Sequence, residues 1–330
     1  MIKHYDGVLG TFDYDDAMFE VVEDLDGAEY FGAPEYLHYV GDGNSVELPN
    51  GCVNTNRMFQ HCKLPKDFNL GENFDTSNVR KMNCMFAGCT LPKGFTLGDK
   101  FDTSSVEDMS HMFAGCQMPE GFNLGDKFDT SKVRTMHNMF GRLSGKTNRD
   151  FKYCTMSYDF TLGDKFDTSN VTDMQNMFER CRIPKGFTFG DKFDTSSVED
   201  MSCMFDKCRM PEGFNLGNKF DTGKVVSMSC MFCDFIMPKG FTLGDKFDTS
   251  SARSMSSMFR RCEISEGFSF GSKFDTSKAE DTHNMFVDCE LPEGFASNDS
   301  LDLSKFKELT QLLDGTVETV DEPMTMMAFF

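Results

Sequence analysis

A chain of 330 residues with a formal net charge of −20 is long enough for two ordinary domains and too acidic to favour nucleic acid as a direct ligand. No segment approaches the ~18 consecutive apolar residues that a membrane span requires, so no span is expected. The first ten residues hold no basic stretch followed by an apolar run; they do not read as a secretory signal, and the cytoplasm is the expected location.

Residues 1–50 carry 12 acidic side chains against a single lysine, Lys3, and lack the repeat described below. They are expected to form an acidic N-terminal cap with its own strands, covering an otherwise open edge.

From residue 51 the chain repeats itself. Phe-Asp-Thr-Ser begins at Phe74, Phe101, Phe128, Phe166, Phe193, Phe247 and Phe274, with Phe-Asp-Thr-Gly at Phe220. Six of the seven spacings are 27 residues and the other is 38, one period plus an 11-residue insertion. A fixed period in this range predicts a solenoid, in which each unit stacks only on its neighbours. The expected body runs over 51–297 as about nine coils.

One unit shows the expected elements. Phe122 and Leu124 alternate with Asn123 as a short strand does, and Gly125-Asp126-Lys127 makes a turn. Val133, Met136, Met139 and Phe140 then fall on one face of a short helical or 3₁₀ segment. Ser-x-x-Glu boxes at Ser104–Glu107, Ser196–Glu199 and Ser277–Glu280 support helical starts.

Stacking turns each position into a column. Met82, Met109, Met136, Met174, Met201, Met228 and Met255 form one, and a Met-Phe column runs from Met58-Phe59 to Met285-Phe286. With Met118, Met156, Met210 and Met237 at the strand entry, the repeat explains 20 of the 25 methionines as core filler. Cys62, Cys89, Cys116, Cys154, Cys181, Cys208, Cys262 and Cys289 share another column; Cys84, Cys203 and Cys230 share a third. Such cysteines suit small buried hydrophobes in the reduced state. The single Cys-x-x-Cys spacing, Cys230 to Cys233, has no second pair nearby, so neither a metal nor a cofactor is expected. Surface columns alternate in sign, as in Lys185, Glu212, Lys239 and Glu266, and read as register locks.

The insertion, 141–151, interrupts the repeat once and holds Arg142, Lys146 and Arg149 against one aspartate. Loops that break a repeat often carry function, so Arg142, Lys146, Arg149 and Phe151 are the candidate binding residues. Residues 298–330 read as a degenerate last coil, with Leu301 and Leu312-Leu313 in register, followed by an apolar tail.

The run Phe166-Asp-Thr-Ser-Asn-Val-Thr-Asp-Met-Gln-Asn-Met-Phe178, followed by Cys181, resembles the BspA-type leucine-rich-repeat proteins, which include many bacterial surface lipoproteins. The resemblance spans about residues 52–313, although the present unit is longer, inserting Pro-x-Gly-Phe-x-Leu-Gly-Asp-Lys. It implies a right-handed leucine-rich-repeat-like solenoid with capped ends, acting as an adhesin or interaction surface without catalysis and suggesting cell-surface display.

The six histidines are scattered, and neither a phosphate-binding Gly-rich loop nor a nucleophile elbow occurs, so no enzyme is expected. The leading expectation is a monomeric scaffold that binds a protein partner through a solenoid face or the insertion. One alternative is an acidic decoy that inhibits a basic, nucleic-acid-handling protein through residues 1–50. A lesser one is an adhesin binding glycan or ice through the threonine column Thr76, Thr103, Thr130, Thr168, Thr195, Thr222, Thr249 and Thr276.

Overall fold

The computed structural model describes residues 38–40, 45–48, 52–60, 62, 64, 66–144 and 151–292. The expected C-terminal coil at 298–330 and most of the expected cap at 1–50 lie outside them. From the cap region the structure describes one antiparallel pair, β1 (His38–Val40) and β2 (Ser45–Glu47), with Tyr39 facing Val46. No helix among the described residues is long and apolar enough to cross a membrane.

The repeats lie side by side, joined by two parallel ladders of single-residue bridges. One passes through Asn54, Lys81, Asp108, Thr135, Asp173, Asp200, Ser227, Ser254 and Asp281. The other passes through Thr90, Gln117, Thr155, Arg182, Arg209, Ile236, Glu263 and Glu290. Every step joins equivalent residues of successive repeats, and the steps Gln117–Thr155 and Thr135–Asp173 span the insertion without a break in register.

The segment between the ladders is built from consecutive turns. Met112 N donates to Met109 O, Ala114 N to His111 O and Cys116 N to Phe113 O, each an i→i+3 bond. The intervening amides reach the next repeat: Cys84 N donates to Ser110 O, Phe86 N to Met112 O and Gly88 N to Ala114 O. These amides are thereby paired without an α-helical ladder. His111 sits at φ 58°, as do its equivalents within a few degrees, and this left-handed residue ends any helix. The only 3₁₀ helix among the described residues is Gly217–Lys219.

The Ser-x-x-Glu boxes consequently open no helix. Ser104 N donates to Asp102 Oδ1 at 2.9 Å, closing an Asx turn, and Glu107 N donates to Arg80 O of the previous repeat. Ser196 and Ser277 bond Asp194 and Asp275 in the same way. The expected strand at 122–124 has the predicted alternation, with Phe122 and Leu124 buried and Asn123 exposed, yet it forms no bridge. Gly121, at φ 78°, bends the chain there, and Phe122 N is spent locally on Pro119 O. Bridging falls instead on Gln117, five residues before Phe122.

The core is a set of side-chain columns. Phe59, Phe86, Phe113, Phe140, Phe178, Phe205, Phe232, Phe259 and Phe286 stack with centroids 5.3 to 5.9 Å apart and planes within 14° of parallel. Offset stacks of this kind add about 0.5–1.5 kcal/mol per pair beyond burial. Both methionine columns are buried beside them. The eight-cysteine column is buried too; Cys181 Sγ donates to Phe140 O at 2.9 Å, and none of the 13 cysteines is in a disulfide.

The threonine column is interior. Thr76, Thr103, Thr130, Thr168, Thr195, Thr222 and Thr249 are fully buried, and each hydroxyl donates to the carbonyl of an aspartate in the next repeat at 2.7 or 2.8 Å. It offers no face to ice or glycan. These residues tie neighbouring repeats together.

Candidate partner-binding face

The insertion returns on itself as an antiparallel pair, β3 (Leu143–Ser144) and β4 (Phe151–Lys152), with Leu143 facing Lys152 and Ser144 facing Phe151. It leaves the repeat at Gly141, where no side chain fits: a Cβ would collide with Asn138 Oδ1 and come within 2.5 Å of Asn176 O. Leu143 packs against Cys84, Ala87 and Ala114, whose small side chains leave room for it on two preceding repeats.

On the other side Arg142 reaches the following repeat. Its Nε donates to Glu179 Oε1 at 2.7 Å, and Arg180 Nε lies 3.5 Å from the same oxygen. Burial pushes the Glu179 carboxyl up, against the downward pull of Arg142. Arg142 thus serves to dock the insertion. Phe151 enters β4, and Lys146 and Arg149 lie outside the described residues.

Immediately after β4 the surface changes character. Tyr153, Thr155, Arg180, Arg182, Lys207 and Arg209 line a shallow recess, with the Arg180 guanidinium 6.0 Å from the Tyr153 ring centroid. Arg182 and Arg209 are exposed neighbours on the second ladder, followed by Ile236, which is also exposed. The ladder then turns acidic at Glu263 and Glu290. Tyr153 and Tyr158, 46% and 69% exposed, are the only tyrosines between residues 51 and 330. Sequence reasoning fastened on the charges inside the insertion and passed over this patch. Its signal was present as a break in column chemistry: Thr90, Gln117 and Thr155 give way to Arg182 and Arg209.

A second irregularity lies on the turn segment. The position held by Ala87, Ala114 and Gly141 becomes Glu179, Asp206 and then Cys233. Lys207 Nζ bridges Asp206 Oδ1 at 3.1 Å and Asp234 Oδ2 at 3.2 Å. Ligand atoms of Asp206, Cys233 and Asp234 lie within 4.8 Å of one another. Burial raises the Asp206 carboxyl, opposed by Lys207. Contact with Cys203 pushes the Cys230 thiol up to about 12, and contact with Cys230 pushes that of Cys233 up as well. These thiols are therefore protonated at neutral pH and are poor nucleophiles.

Three overlapping stretches, 53–161, 146–241 and 218–322, match a family described as "Mycoplasma protein of unknown function, DUF285". The matches run across most of the chain, so the protein belongs to this family, whose unit recurs three times in it. No curated protein and no solved structure matches the chain.

Proposed function

We propose that this chain is a non-enzymatic scaffold, a leucine-rich-repeat-like solenoid of the BspA type, that binds a protein partner through the face beside the insertion. The observation that carries the reading is the patch of Tyr153, Arg182 and Arg209. Tyr153 is exposed there, next to two arginines for which no ion pair occurs among the described residues. Tyrosine and arginine dominate the energetic centres of protein interfaces, and an exposed cluster that no folding requirement explains fits such a centre. A cationic patch on a chain of net charge −20 favours a partner with an acidic surface and disfavours non-specific contact elsewhere.

Affinity capture from lysate of the source cell tests this, with the intact protein and an Arg182→Glu, Arg209→Glu variant as baits. A specific protein held by the intact chain and lost with the variant supports the face. Its retention by the variant would remove the patch from the interface. A bound protein that elutes steeply with added salt would confirm the charge-driven contact.

A further inference from the structure

Resting on the partner-binding reading of this face, we propose that the acidic group taken by the recess at Arg182 and Arg209 is a phosphate monoester on an extended peptide, with an apolar residue two places before the phosphorylated one and another two places after it. The recess lies between two columns of the stack. One holds Tyr153, Arg180 and Lys207; the other, two residues on, is the second ladder with Thr155, Arg182 and Arg209. The cations are confined to two successive repeats, because the preceding repeat holds Tyr153 and Thr155 at these places and the following one Asp234 and Ile236.

Two of the four cations are already spent. Arg180 Nε lies 3.5 Å from Glu179 Oε1, and Lys207 Nζ sits 3.1 Å from Asp206 Oδ1 and 3.2 Å from Asp234 Oδ2. Arg182 and Arg209 are exposed, and neither side chain has an ion pair or a hydrogen bond among the described residues. The recess therefore offers two uncompensated positive charges on adjacent rungs of one ladder. A carboxylate neutralises one of them. A phosphate monoester carries a charge of about −1.5 to −2 at neutral pH, with three acceptor oxygens, and neutralises both. Guanidinium forks bind such oxygens in parallel pairs, which suits arginine rather than lysine at both places.

The spacing of the stack sets the rest of the motif. Successive repeats lie about 4.8 Å apart along a parallel ladder. The midpoint between Arg182 and Arg209 is then roughly 7 Å from the level of Tyr153 on one side and from that of Ile236 on the other. An extended peptide laid along the ladder advances roughly 6.7 Å every two residues and turns alternate side chains to the same face. A phosphorylated side chain centred on the two arginines thus places its second neighbours over Tyr153 and Ile236.

Both flanking side chains are exposed, and neither fills the core. Tyr153 shares its column with Gly115 and Arg180, and Ile236 shares the ladder with Arg209 and Glu263. The Arg180 guanidinium, 6.0 Å from the ring centroid, braces Tyr153 at the edge of the recess. Beyond Ile236 the ladder carries Glu263 and Glu290, whose charge repels a second phosphate and confines the site to this place.

The test is fluorescence anisotropy of the full chain with short labelled peptides at near-physiological salt. One peptide has phosphoserine at its centre and leucine two places to either side; a second has glutamate at the centre; a third keeps the phosphoserine and moves both leucines next to it. The first is expected to bind at least about tenfold more tightly than the second, the gain of one further charge-assisted hydrogen bond, and more tightly than the third. Arg182→Gln with Arg209→Gln is expected to abolish the advantage of phosphoserine over glutamate. Should that variant lose its melting transition, Arg182→Lys with Arg209→Lys, which keeps the charge and removes the forks, is expected to reduce the advantage severalfold. Equal binding of the phosphoserine and glutamate peptides, no binding of either, or an advantage that survives the arginine substitutions overturns the proposal. Displacement of the peptide by a single-stranded oligonucleotide at equal phosphate concentration overturns the peptide as the carrier. If no phosphopeptide binds while a captured protein is still lost with Arg182→Glu, Arg209→Glu, the phosphate falls and the partner-binding reading stands.

Discussion

Arg142 Nε donates to Glu179 Oε1 across 2.7 Å, linking the first side chain of the insertion to the repeat that follows it. Leu143, one residue on, packs on the repeats that precede it. The insertion is thus fastened in both directions by adjacent residues. Arg142→Ala leaves a buried carboxylate with Arg180 as its remaining cation, and the expected cost is about 1–3 kcal/mol. Chemical denaturation at neutral pH measures it. No loss of stability would mean that the pair does not dock the insertion.

The threonine column makes a graded prediction. Thr168 Oγ1 donates to Asp194 O at 2.7 Å and accepts from Asp194 N at 2.8 Å, whereas Thr103 Oγ1 donates to Asp129 O while Asp129 N bonds Lys127 O. Thr168→Val strands the carbonyl and the amide of a half-buried aspartate, Thr103→Val only a carbonyl. An unsatisfied buried group costs about 1–3 kcal/mol, so Thr168→Val is expected to lower the melting temperature more than Thr103→Val. Calorimetry of the two variants checks the order, and equal losses would contradict it.

His111 provides a pH signature. Burial, with help from the neighbouring His137 and Arg57 and against Asp108, lowers its imidazole to about 4 from the ordinary 6.5. Its Nδ1 accepts from Asn138 Nδ2 at 2.7 Å, which requires the neutral ring. The unfolded chain then binds the proton more readily than the fold does between those two values. Stability from this group is present above 6.5 and lost as pH falls towards 4. His111→Asn is expected to flatten that part of the stability profile. NMR titration is expected to leave the His111 resonances unmoved until about pH 4, and titration near 6.5 would refute the burial argument.

Much of the interior was legible from the 27-residue period. Columns such as Met82, Met109 and Met136, or Cys62, Cys89 and Cys116, needed only counting, because a side chain repeated at one position of a stacked unit meets copies of itself. The candidate site was legible only in part. Arg142 was marked for its charge, and the structure spends that charge on Glu179; the exposed Arg182 and Arg209 sat in an ordinary-looking column and drew no notice.

The threonine column and the helical face failed for one reason. Spacing says that Met109, Met112 and Phe113 share a side of the chain, but both an α-helix and a run of i→i+3 turns meet that condition. What separates them is the destination of the backbone amides, and those of Cys84, Phe86 and Gly88 go to the next repeat. In the same way Thr130 reads as polar surface until the Asp167 carbonyl is brought over its hydroxyl. The sequence by itself determined the period, the columns and the identity of the core side chains, since these depend on position within the unit. Tertiary structure alone decided which neighbour each amide and hydroxyl bonds, because contacts across 27 residues exist only once the repeats are stacked.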